Sequence, residues 1–240
     1  MKRLLPLFVG VLLVFDGAHD VQADDWSAIS VGGYTQLGHF NSASQSATLD
    51  GINDQARSTD GSTTNWSGGF SLAANWRLQN AVIGVGVDYD PFGATLGLQC
   101  HYHWDDGRQS NVYVSWDDDG RCTREVSWST SIVGRVGWLV SESTLLYGVG
   151  GWAIAKVEQN FEKSFYLEQA SATLSGATFG GGIEHRLAEN WHVSLEFRHT
   201  AFGTIRKTSF LKESDGIQNT NVGGDAEIVR LGLSYVLPLR

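Results

Sequence analysis

"WHVSLEFRHTAF", residues Trp191 to Phe202, changes character at every second position. Trp191, Val193, Leu195, Phe197 and Ala201 fall on one side, with His199 interrupting them. His192, Ser194, Glu196, Arg198 and Thr200 fall on the other. Successive side chains of an extended strand point to opposite faces, so the stretch reads as a β-strand with one apolar and one polar, charged face. It is also long enough to cross a bilayer, which takes a tilted strand of about 9–11 residues.

Working outward, the same period recurs. "IVRLGLSYVL" sets Val229, Leu231, Leu233, Tyr235 and Leu237 against Arg230, Gly232, Ser234 and Val236. "GATFGGGIEHRL" sets Phe179, Ile183 and Leu187 against Thr178, Gly180, Gly182, Glu184 and Arg186. "STSIVGRVGWL" opposes Ile132, Val136 and Trp138 to Ser131, Val133, Arg135 and Gly137, and "AVIGVGVDYD" opposes Ile83, Val85, Val87 and Tyr89 to Gly84, Gly86 and Asp88. No window after residue 23 carries a helical period of apolar residues.

The connections alternate in length. Short turns lie at "LQNA" (Leu78–Ala81), "VSEST" (Val140–Thr144) and "LAEN" (Leu187–Asn190), and long polar stretches at about 41–65, 91–125, 159–175 and 205–225. Short turns at one end and long loops at the other describe an all-β, antiparallel up-and-down transmembrane barrel, with the short turns periplasmic. Trp76, Trp138, Trp191 and Tyr235 beside the short turns suit an interfacial girdle. A soluble sandwich or a lipocalin-like barrel is the competing fold, although such proteins rarely sort their loops so strictly.

Eight strands are expected, at roughly 26–39, 66–78, 81–90, 126–139, 144–158, 176–187, 191–204 and 226–237. The first allows two registers. Ten is the rival count, because "ATLGLQCHYHW" and "QSNVYVSW" also alternate. With eight strands, that pair forms a hairpin projecting above the membrane within the second outer loop.

The chain opens with Met1-Lys2-Arg3, an apolar run "LLPLFVGVLLVF" and a small-residue site ending in Ala23. This is a secretory signal over 1–23, too short to span a bilayer, with the mature barrel domain at 24–240. Lys2, Arg3, Asp16 and Asp20 cancel, so the mature chain keeps the formal charge of −9. An acidic chain without clustered Lys and Arg argues against nucleic acid. With 29 Gly, 3 Pro and many aromatics, the composition suits a barrel better than a soluble α/β domain.

The runs "GRVGWLVSESTLLYGVGGWAIAKV", "GATFGGGIEHRLAENWHVSLEFRHTAFGT" and "EIVRLGLSYVL" resemble the porin-family, outer-membrane-immunogenic type of small β-barrel of alphaproteobacteria. The resemblance covers the signal and the C-terminal half well and residues 24–125 in outline. It implies an eight-stranded, monomeric or weakly associated, non-enzymatic surface protein, linked in various members to envelope integrity, host interaction or haem binding. One departure stands out. Such barrels end in an aromatic residue read by the assembly machinery, and here Leu237 holds that place before Pro238-Leu239-Arg240.

Arg135, Lys156, Glu184, Arg186, Glu196, Arg198 and Arg230 are read as lumen-facing charges. In a hydrophilic pore they would set ion selectivity. Eight strands leave an interior that side chains just fill, and an unpartnered buried charge costs several kcal/mol, so the charges should pair. The expected network places Glu184 and Glu196 between Arg135, Arg198 and Arg230. His199 raises an enzyme reading, because outer-membrane lipid A deacylases place a His and a Ser two apart on a late strand. Here Ala201 occupies the nucleophile's position and Thr200 faces the other way, so no catalytic residue is assigned and His199 is read as a lipid-interface residue.

The stretch "WDDGRQSNVYVSWDDDGR", 104–121, doubles a phrase between the only two cysteines, Cys100 and Cys122. The three successive aspartates 117–119 cannot converge from one extended chain as a calcium loop requires, so no metal is assigned. His101 and His103 are weak candidates for haem or a transition metal, and no cofactor is expected. Asp106-Gly107 and Asp119-Gly120 read as tight turns. A Cys100–Cys122 disulfide would close the base of the loop, worth roughly 3 kcal/mol by chain entropy. Tyr102, Trp104, Tyr113 and Trp116 are residue types that dominate interfaces, so this loop is the expected recognition surface. The expected partners are the lipid bilayer, the barrel assembly machinery and a host or envelope surface ligand.

Overall fold

The structure, a computed structural model, describes the backbone of residues 26–49, 55–91, 95–104, 121–163, 166–210 and 217–238. Side chains are described for 26–41, 62–91, 125–158, 171–205 and 223–237. The elements are nine β segments: β1 (Ala28–Leu49), β2 (Gln55–Leu78), β3 (Ala81–Asp90), β4 (Thr95–Trp104), β5 (Arg121–Ser141), β6 (Thr144–Lys163), β7 (Tyr166–Ala188), β8 (Trp191–Phe210) and β9 (Ile217–Pro238). All pairings are antiparallel, and β1 bonds both β2 and β9, with Ile29 opposite Ala74 on one side and Leu237 on the other. The sheet is therefore a closed ring without an edge, the form in which a sheet can satisfy its backbone groups in lipid.

Nine segments occupy eight positions in that ring. β3 pairs β2 and β5 near the short turns, and β4 pairs the same two strands higher up. Tyr89 faces Phe70 and Gln99 faces Asp60, so β4 continues β3 along β2 in unbroken register. On the β5 side the pairing slips by one residue between Asp90–Ser129 and Thr95–Glu125. Residues 95–104 are thus the upper half of the third strand, not the first arm of a separate hairpin. Pro91 marks the interruption; it has no N–H to give to a ladder.

The polar stretches expected as outer loops lie outside the apolar band, but most of their length is strand. β1 runs on to Leu49 and β2 begins at Gln55, while β6 and β7 extend to Lys163 and from Tyr166. These stretches are rich in Ser, Thr, Asn and Gln and lack a clear apolar period, so periodicity sees a loop where backbone pairing sees a strand. The short turns are tight, at Gln79–Asn80, Glu142–Ser143 and Glu189–Asn190.

The faces sort as alternation requires. Val31, Leu72, Ile132, Val136, Trp152, Phe179 and Leu231 are about half exposed or more and form the lipid-facing surface. Trp76, Trp138 and Trp191 lie on that same outer face, and Trp191 meets Tyr235 edge-on with ring centroids 5.3 Å apart. The first strand takes one register, with Trp26, Ala28, Tyr34 and Gln36 turned inward. A register offset between Val126 and Trp128 lets β5 turn Val126 inward as well. Lys156 does not face the lumen: β6 buries Ala155 and Val157, and Lys156 lies between them on the outer side, 2.8 Å from Glu158.

Candidate functional site: a charged septum across the lumen

The short-turn end of the lumen is apolar. Trp26, Val82, Leu139 and Leu145 are buried together there, and the Trp26 indole N–H donates to the Glu142 carbonyl at 3.0 Å. His192, 1% exposed, lies beside the Trp26 ring at 4.8 Å between centroids. The His192 ring is held from above by Glu184, whose Oε1 lies 2.7 Å from His192 Nδ1 while Oε2 accepts from Arg135 at 2.7 Å. This end of the barrel is a plug.

Above it the charges meet across the barrel. Arg198 donates to Asp88 at 2.6 Å and to Ser131 at 3.2 Å, and its Nε stands 2.5 Å from Glu196 in a close ion pair. Arg230 reaches the same two carboxylates, Asp88 at 3.2 Å and Glu196 at 3.8 Å, and donates to the Gln36 amide oxygen at 3.0 and 3.2 Å. Gln36 in turn donates to Asp90 at 2.6 Å, and Ser67 donates to the same carboxylate oxygen at 2.7 Å. Two tyrosines flank the arginines: Tyr34 lies under Arg230 at 3.9 Å and Tyr147 under Arg135 at 4.1 Å, the latter donating to Glu196 at 3.1 Å. Glycines opposite them make room. A Cβ on Gly69 would stand 2.6 Å from the Tyr34 hydroxyl, and one on Gly182 would stand 2.8 Å from that of Tyr147.

Asp88, Glu184 and Glu196 each face at least one cation, and each arginine at least one carboxylate, as burial in a narrow lumen demands. Five of the sequence-assigned charges are in this layer, but in two clusters. Glu184 pairs with Arg135 and His192; Glu196 pairs with Arg198 and Arg230. Alternation also puts Asp88 and His192 on the inner face, beside Gly84 and Gly86 in one strand and Ser194 and Glu196 in the other. It does not say that Asp88 is the carboxylate both arginines share, because that contact joins β3 to β8 and β9 across the barrel. Tyr34, Gln36, Asp90 and Tyr147 carry no signal beyond their parity.

The septum separates two cavities. Tyr34, Asp88, Arg198 and Arg230 line both. The lower one is lined by polar and apolar groups alike, with Ser30, Ser71, Ser194 and Ser234 among its walls. The upper one opens near Asn41 and Gly224. Elsewhere, His199 is half-buried on the outer face with its ring 5.2 Å from that of Phe179, while Thr200 turns inward and donates to Thr178 at 2.9 Å. The two side chains of the catalytic reading therefore sit on opposite faces of the sheet.

Of the loop residues, Cys100, His101, Tyr102, His103 and Trp104 belong to β4 and Cys122 to β5, with Cys122 opposite Leu98 in the backbone register. The side chains of all six lie outside the described residues. So does the whole of 105–120, with Tyr113, Trp116 and the aspartates, and so do residues 1–25 with the signal segment.

A closed antiparallel ring with an apolar outer band, girdle aromatics and a polar, filled lumen defines an outer-membrane barrel of the small, side-chain-packed kind. The chain belongs to the outer membrane protein beta-barrel domain family, whose model matches residues 8–236. It is similar to the 31 kDa outer-membrane immunogenic protein of Brucella melitensis, at 25% identity over 173 residues, 70% of this chain. The match spans 65% of that relative's own length, a little under two thirds. A 22 kDa outer membrane protein of Rhizobium leguminosarum is 32% identical over 124 residues, 49% of this chain and 56% of the relative. Among solved structures, OprG from Pseudomonas aeruginosa superposes with a TM-score of 0.56 at 12% identity, covering 92% of this chain and 100% of its own. The outer membrane protease OmpT from Escherichia coli gives 0.52 at 9% identity, covering 88% and 97%. At such identities the two structures share the fold and nothing finer. The protein is thus an outer-membrane β-barrel of an alphaproteobacterial type, embedded in the lipid bilayer.

Proposed function

We propose that this barrel is a non-conducting, non-catalytic platform, delivered to the assembly machinery after removal of residues 1–23. Its role is structural and surface-interacting, exercised through the second outer loop toward a host or envelope ligand. The observation that carries this reading is the septum. Arg198 and Arg230 are tied to Asp88 and Glu196 across the whole width of the lumen, and Trp26 and Leu145 close the end beneath them. A pore would need those charges apart. The long strands support the second half of the reading, since β2, β4 and β5 carry the chain well above the apolar band before and after 105–120. β4 and β5 are paired up to Leu98–Cys122, and a Cys100–Cys122 bridge as the base of the loop is part of this reading.

Two measurements test it. In planar lipid bilayers the folded mature chain is expected to give no steady conductance at high salt; a stable open level would overturn the closed-platform reading. Replacing 106–119 by a short Gly-Ser linker should leave the difference between boiled and unboiled gel mobility intact and abolish binding to host cells and envelope fractions. Unchanged binding would remove the loop from the function. Reductant should change the unboiled mobility of the parent chain only if the bridge exists.

A further inference from the structure

The two halves of the lumen each keep a space, and the spaces are lined by different kinds of residue: serines and charged groups as much as carbon below the septum, mostly carbon above it. Below Asp88 the inward positions carry Tyr, Arg, Glu and Leu, large enough to meet across an eight-stranded ring, with Ser30, Ser71, Ser194 and Ser234 around the chamber between them. Above it β6 presents Ala153 and Ala155, and β9 presents Ala226, all buried and small. Large side chains there would close the space; these leave it open. Around the opening stand Phe40, Val126, Val157, Leu174, Phe202 and Ile228. Val157 and Leu174 are buried and pack with Val126 and Phe202.

An apolar recess of this kind holds water poorly, because a bound water needs two to four polar partners and is otherwise better replaced by an apolar guest. The polar groups of the floor are already engaged, while Asn41 and Asp225 stand at the mouth. Asp88 is met by Arg198, Arg230 and Ser131, Asp90 by Gln36 and Ser67, and the Thr200 hydroxyl donates to Thr178. A charged guest at the floor would find the counter-ions there committed. A hydroxyl or carbonyl could share the Thr178 and Thr200 oxygens.

We propose that the upper lumen is a blind cup that binds a small uncharged aromatic or short-chain aliphatic molecule entering from the cell exterior, and that the charged septum is its floor. The cup holds its guest and does not pass it on, because Asp88, Arg198 and Arg230 separate it from the chamber below. It is distinct from the outer-loop surface and from His101 and His103, and would bind whether or not the loop recognises anything.

The test uses the folded mature chain in amphipol and 1-naphthol as the probe, with binding read as saturable energy transfer from tryptophan. Saturable binding is expected, weakened at least tenfold by Ala155→Trp and, from the opposite wall, by Ala226→Phe. Both variants are to be checked by gel mobility for a closed barrel, and either suffices if the other fails to fold. Ala201→Phe, on the outer face, should bind as the parent does. 1-Naphthoate and 1-naphthylmethylammonium should bind at least tenfold more weakly than 1-naphthol. The proposal fails if no saturable binding is seen, or if both filled variants bind like the parent, which would put the probe in the amphipol belt. It fails equally if the charged analogues bind as well as the neutral one. Tighter binding to the Gly-Ser loop variant than to the parent would also overturn it, because residues 106–119 would then be the occupant.

Discussion

The lower and upper halves of the lumen are built on the same eight strand positions, yet they solve the problem of an enclosed interior in opposite ways. Below, long charged and aromatic side chains meet in the middle and satisfy one another. Above, short apolar side chains line a space they do not cross. Closing a barrel fixes its diameter; whether the inside is solid or hollow is decided by side-chain length at alternate positions. β6 shows the change within one strand, from Leu145, Tyr147 and Val149 through Gly151 to Ala153 and Ala155.

The sharpest way to break that contrast is in the septum. Arg198→Ala leaves Asp88 and Glu196 to share Arg230 alone. Removing one partner of a buried ionic cluster costs about 3–5 kcal/mol, so urea unfolding from lipid vesicles, followed by tryptophan fluorescence, should shift by that much. Glu196→Ala should destabilise in the same direction; an unchanged melting profile would mean the charges do not act as a network. A matched pair of leucines then weighs the halves against each other. Leu145 is wholly buried in the plug, and Leu145→Ala should cost about 3–4 kcal/mol through the cavity it leaves. Leu174 borders space that is already open, so Leu174→Ala should cost less, about 1–2 kcal/mol, near the lost transfer energy alone. Equal losses would show the upper half to be as solid as the lower. The smallest effect belongs to neither half. Gln79 holds a left-handed φ of 58° in the β2–β3 turn, a conformation glycine adopts without strain, so Gln79→Gly should gain up to about 1 kcal/mol in the same titration.

The outer face was legible from the sequence because lipid enforces it one residue at a time: Leu195 or Ile132 needs no particular partner, only the right parity. The inner face was legible only as an inventory. Glu184, Glu196, Arg198 and Arg230 belong to it by alternation, but their partners are chosen by ring geometry. Strands far apart in the chain are brought within reach, so that Asp88 meets an arginine 110 residues away. The cup was not legible at all, since Ala153, Ala155 and Ala226 are unremarkable residues whose meaning lies in what fails to reach across from the other side. The upper strands escaped for a different reason. Hydrogen bonding along 41–49 and 55–65 is set by backbone register, continuing ladders begun below, and no side-chain period announces it. Lys156 was misplaced because its charge suggested the lumen, whereas at that height the outer face has left the hydrocarbon and tolerates it.

Those continued ladders matter mechanically. Past Leu37 β1 runs about a dozen residues further, and β2 descends through a similar length before Trp66. At about 3.3 Å per residue and the usual tilt this amounts to roughly 30 Å of height, comparable to the hydrocarbon core itself. The barrel therefore carries a mast as tall as its foundation. Whatever the tips of the chain grip is held clear of the headgroups on a hydrogen-bonded cylinder, and a pull on them is delivered to the ring as a whole, not to one hinge.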